Sequence, residues 1–60
     1  MDNSNAFVHV DGITVSYGSF AGIVRYLRPC DEAATDYITI EGMAVRTAEA
    51  YRVARELELV

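Results

Sequence analysis

Reactive side chains are scarce in this chain. Its 60 residues include one histidine, His9, and one cysteine, Cys30, and these are its only candidates for a nucleophile, a general base near neutral pH or a soft metal ligand. A Cys-His dyad also needs an orienting third group and an oxyanion site, and no motif or Gly-rich loop marks either. One His and one Cys fall short of the four ligands of a structural zinc site. Asp31, Glu32 and Asp36 lack the alternating D-x-D-x-D-G spacing of a calcium loop and read as a solvated charge run. The expectation is therefore a non-enzyme with no catalytic, cofactor-binding or metal-binding residue. His9 is expected half-exposed on a strand, and Cys30 in a connector behind Pro29.

What remains is recognition chemistry. Phe7 and Tyr37 stand thirty positions apart, each beginning a run of alternating residues. With His9, Thr39 and Arg46 they form the candidate protein interface. An aromatic and arginine patch on an otherwise polar face is typical of interface anchors. Tyr17, Tyr26 and Tyr51 are expected to add contact surface. Arg25 and Arg55, also thirty apart, are expected near helix C-termini, where a cation interacts favourably with the helix dipole.

These residues must be carried by a duplicated unit. Val8, Val10, Ile13 and Val15 share one face if Asp11-Gly12 is a two-residue hairpin turn, and Ile38, Ile40, Met43 and Val45 do the same around Glu41-Gly42. Glu41 is the poorer turn residue. The other face carries Phe7, His9, Thr14 and Ser16, then Tyr37, Thr39, Ala44 and Arg46. After each hairpin the apolar period changes to 3.6, through Phe20, Ile23, Val24 and Leu27 and through Ala50, Val53, Ala54 and Leu57. Thr47 is a candidate N-cap for the second helix; the first begins at Ser16 or Ser19, and Pro29 forbids it to pass Arg28. The expected fold class is α+β: a tandem ββα repeat giving a four-stranded antiparallel sheet with two helices on one face. Residues 1–60 form one domain, with a ββα unit at 7–28, a connector at 29–36 and a second ββα unit at 37–58. Gapless agreement between the halves, with Gly12/Gly42, Val15/Val45, Arg25/Arg55 and Leu27/Leu57 identical, suggests an ancient duplication.

The stretch ITIEGMAVRTAEAYRVAREL resembles short strand-turn-strand-helix proteins of actinobacteria and their phages. Ile38, Ile40, Gly42, Val45, Ala48, Glu49, Ala50, Val53, Ala54 and Leu57 fit their pattern, whereas Arg46 and Thr47 depart from its Ser-Pro helix start. A more distant similarity is to the hairpin-plus-helix dimerisation domain of actinobacterial nucleoid-associated proteins. The first resemblance implies a phage-encoded or accessory protein, and the second implies a ββα geometry suited to association between chains, not DNA binding. The expected function is a non-catalytic interaction module that modulates a host protein through its acidic surface or its aromatic sheet face.

Composition bounds the alternatives. A net charge of −4, with five arginines among nine carboxylates, argues against a nucleic-acid footprint. A small dimeric transcriptional or nucleoid regulator is therefore the alternative, not the first reading. No apolar run approaches the roughly 20 residues needed to span a bilayer. No signal-peptide pattern precedes the first strand, and the unpaired cysteine fits a reducing cytoplasm, that of a host cell for a phage protein. A chain this short forms a small core, of about 3–5 kcal/mol. A homodimer through a sheet edge or the aromatic face is the expected remedy, alongside an unidentified protein partner.

Overall fold

The computed structural model describes residues 6–60, so the first five positions of the expected domain lie outside it. Two ββα units follow one another: β1 (Phe7–Val10), β2 (Ile13–Ser16) and α1 (Tyr17–Val24), then β3 (Tyr37–Ile40), β4 (Met43–Arg46) and α2 (Thr47–Glu56). A 3-10 helix, Pro29–Ala33, joins them. Both hairpins close through type I′ turns, with φ of 52° and 82° at Asp11 and Gly12 and of 54° and 79° at Glu41 and Gly42. The turns fix the registers Val10↔Ile13 and Ile40↔Met43, which place Val8 opposite Val15 and Ile38 opposite Val45. The expected inner and outer faces result, with Val8, Val10, Val15, Ile40 and Val45 buried.

The strands form two two-stranded antiparallel sheets, β1-β2 and β3-β4. At the last residue of each second strand, a carboxylate from the other hairpin's turn occupies the free edge. Glu41 Oε2 accepts the Ser16 N–H at 3.0 Å, and Asp11 Oδ2 accepts the Arg46 N–H at 2.9 Å. Those N–H groups are therefore bonded to side chains, not to a neighbouring strand. Besides these turn contacts, the units touch through their helices: α1 packs against α2 and β3 as well as its own hairpin, and α2 packs against β1.

Helix α1 starts at the Ser16 cap, whose hydroxyl accepts the Ser19 N–H at 3.3 Å. It ends at Val24, earlier than Pro29 requires, in a helix weakened by Gly18 and Gly22. Helix α2 corrects two expectations. Its N-cap is Arg46, not Thr47; Thr47 is the first helical residue and is buried, and its N–H donates to the Asp36 carbonyl at 3.0 Å. Thirty positions before Thr47, the Tyr17 N–H donates likewise to the Ala6 carbonyl at 2.9 Å. Leu57 does not complete the apolar stripe and is 41% exposed. The chain turns at Glu58 (φ 60°), and the Leu59 N–H returns to the Ala54 carbonyl at 2.8 Å while the Glu58 N–H bonds Arg55 at 3.0 Å. This is a Schellman motif, and it packs Leu59 against the core in place of Leu57.

Phe20 of α1 and Ala50 of α2 are both fully buried in one core cluster, and the two helices are in contact. Tyr51, expected on the surface, is only 6% exposed, because the 3-10 helix packs along α2. That 3-10 helix starts with Pro29 and is closed by Asp31, whose carboxylate accepts the Arg28 N–H at 2.7 Å.

Candidate protein-interaction site

The outer strand faces present all five candidate interface residues to solvent: Phe7 and His9 on β1, Tyr37 and Thr39 on β3, and Arg46 at the end of β4. Phe7 is 66% and Tyr37 62% exposed, which is unusual for aromatic rings on strands whose other faces are dry. Tyr37 lies directly across the ladder from Arg46. His9 Nδ1 lies 2.8 Å from Thr14 Oγ1, a cross-strand pair that fixes the ring on the outer face. His9 and Arg46 also line one shallow cleft around the first turn, shared with Asp11, Gly12 and Thr14. His9 and Tyr37 thus come from different units, the first sharing a cleft with Arg46 and the second paired with it across the ladder.

The turn carboxylates hold this face together, and their role was not anticipated. Asp11 Oδ1 accepts from Arg46 Nε at 2.9 Å and from a terminal guanidinium nitrogen at 2.6 Å, while Oδ2 takes the backbone N–H. The Arg46 side chain first, and its backbone N–H second, hold the Asp11 carboxyl below its ordinary pKa. On the opposite diagonal, Glu41 Oε2 accepts from the Ser16 hydroxyl at 2.7 Å and from the Ser16 N–H. The Ser16 hydroxyl leads the causes that lower the Glu41 carboxyl. Each turn therefore grips the helix cap of the other unit, Asp11 on Arg46 and Glu41 on Ser16, a reciprocal exchange of the kind a two-fold relation produces. A signal was available: an acid precedes glycine in both turns, and the second is a glutamate where glycine, asparagine or aspartate suits positive φ better.

The other residues considered for chemistry lie elsewhere. Cys30 is exposed on the 3-10 helix, and Asp31 caps that helix. No group of three or more His, Cys, Asp or Glu side chains capable of holding a metal ion occurs among the described residues. Arg25 caps the C-terminus of α1 and lies over the Tyr26 ring, 5.0 Å from its centroid; Arg55 is in the last turn of α2. Arg52 bridges Glu49 at 3.2 Å and Glu56 at 2.7 Å along the exposed side of α2. No described helix is long and apolar enough to cross a membrane. Comparison with protein-family models, curated proteins and solved structures finds no match for the chain.

Proposed function

We propose that this chain is a non-catalytic protein-interaction module, an accessory or phage-encoded modulator of a host protein, which binds through its outer strand faces. The exposure of Phe7 and Tyr37 at equivalent positions of the two units carries this reading. A ring left two-thirds in water makes little contribution to its own fold, yet it can bury large apolar area against a partner at small entropic cost. The clasps support the same reading. Arg46 is held beside Tyr37 by Asp11, so a partner meets a pre-organised aromatic and guanidinium pair. Thr39 and the His9-Thr14 pair supply polar groups around the rings, as at an interface rim.

The test is quantitative capture from lysate of the source cell with the wild-type chain and the Phe7→Asp, Tyr37→Asp double variant side by side. The captured candidate is then purified and titrated against both proteins. The double variant should keep its circular dichroism spectrum and lose binding. A purified partner that binds both proteins equally would refute the outer face as the site.

A further inference from the structure

We propose that the outer edge of β1 is a strand-addition site for a second copy of this chain, paired antiparallel through Phe7 and His9 with Val8 on the two-fold axis. In a two-residue I′ hairpin the pair closing the turn is hydrogen-bonded, and hydrogen-bonded pairs then alternate. Val10 and Val8 therefore spend their N–H and C=O groups on Ile13 and Val15. Ala6 keeps the same parity, since its carbonyl accepts the Tyr17 N–H at 2.9 Å. Phe7 and His9 must direct their backbone groups the other way. β1 has no strand neighbour but β2, and neither residue has a backbone partner on that side among the described residues.

The inner edges show what a satisfied edge looks like in this molecule: Ser16 and Arg46 are capped by Glu41 and Asp11. Among the described residues the outer edge of β1 has no such cap, and it has none of the usual guards, for Phe7–Val10 contains no charged residue or proline. Two N–H donors and two C=O acceptors alternating along one edge fit an extended backbone. The β1 edge also complements itself. Setting Phe7 against His9 of the second copy, and His9 against its Phe7, satisfies all four groups about one axis and opposes an aromatic ring to an imidazole, with no like charges facing.

Charge selects this edge for a copy of an acidic chain. Two molecules of net charge −4 repel, and β1 itself carries no carboxylate while the neighbouring Glu56 is paired with Arg52, so two such strands can approach. Beside β1 runs a groove of about 530 Å³ whose lining includes Phe7, Val8, Val53 and Leu57 together with Glu56, whose carboxylate is paired with Arg52, so apolar area is buried along with the edge. β3, by contrast, follows the exposed Asp36 and leads into the exposed Glu41.

This deepens the interaction-module reading and rests on it for the accessibility of Phe7, but the two fail separately. Loss of self-pairing leaves outer-face capture intact, whereas capture indifferent to Phe7 and Tyr37 leaves self-pairing intact. The experiment is sedimentation equilibrium of the full chain from low to high micromolar concentration. It is combined with an isotope-filtered NOE experiment on a mixture of ¹³C-labelled and unlabelled chains. The wild type should dimerise and show a Val8 Hα to Val8 Hα contact between copies, because a non-hydrogen-bonded antiparallel pair brings Cα atoms to about 4.5 Å. Phe7→Lys should weaken association by roughly tenfold or more. His9→Pro, which removes an outward N–H and the imidazole but no hydrogen bond of the β1-β2 ladder, should do the same if Phe7→Lys perturbs the fold, and Tyr37→Lys should leave the dimer unchanged. A wild type monomeric at high micromolar concentration overturns the proposal. So does a dimer lost in Tyr37→Lys and kept in Phe7→Lys.

Discussion

Thr47 is 2% exposed, and its hydroxyl oxygen has no hydrogen-bond partner among the described residues. Threonine at this position spends its N–H on Asp36 and, lying one residue inside the helix, cannot use its side chain as the cap. Thr47→Val keeps the branched shape and replaces the stranded hydroxyl with a methyl. An unsatisfied buried polar group costs about 1–3 kcal/mol, and the added methyl buries apolar area that contributes up to about 0.8 kcal/mol. Helix propensities of the two residues are nearly equal. Taking the low end of the first figure, because partial relaxation reduces it, the variant should gain about 1–2 kcal/mol. At about 4–8 °C per kcal/mol for a domain of this size, the melting temperature should rise by roughly 5–15 °C. Urea unfolding followed by circular dichroism should show a higher midpoint at unchanged slope. Thr47→Ser, which keeps the hydroxyl and loses the methyl, should move the midpoint the other way. A Thr47→Val protein no more stable than wild type would mean that the hydroxyl is bonded in solution and that the reasoning is wrong.

Acid should loosen the clasps. The folded-state pKa values of Asp11 and Glu41 lie below their ordinary values of 3.8 and 4.5, so their contribution is complete above those values and is lost as pH falls through the folded ones. Melting temperature should fall on that acid limb, and less steeply in the Asp11→Asn, Glu41→Gln double variant; equal slopes would contradict this. Glu58→Gly should stabilise by about 1 kcal/mol in thermal melts, since Glu58 occupies the left-handed position of a Schellman motif. His9→Ala with Cys30→Ser should change the biological effect only as far as it changes partner binding, because His9 lies in the candidate interface; loss of the effect with folding and partner binding intact would point to chemistry at these residues.

Strand faces and hairpins were legible in the sequence because period-two alternation and an acid-glycine turn are local signals. Val8, Val10, Val15 and Val45 needed nothing beyond their neighbours to be placed inside. The helix ends were not legible. Leu57 fits the 3.6 period as well as Leu27 does, yet Glu58 in the left-handed region swings Leu59 onto the core instead. Thr47 reads as a cap by residue type, but the cap is fixed by where β4 ends, one residue earlier. All five candidate interface residues are exposed as expected, since alternation assigns the outer face once the turn is known. What the sequence could not reveal is that Asp11 and Glu41 reach across to the other unit, because contacts 35 and 25 positions away depend on how the two units dock.

The most direct test of the outer face as a binding surface is hydroxyl-radical footprinting, comparing the chain in dilute buffer with the chain in its native lysate. Phe7 and Tyr37 should oxidise readily in buffer and become protected in lysate. Tyr26, 71% exposed away from the strand faces, should stay reactive in both, and buried Tyr51 should stay protected in both. Phe7 and Tyr37 remaining as reactive in lysate as in buffer, while Tyr26 becomes protected, would place the binding surface elsewhere and contradict the account.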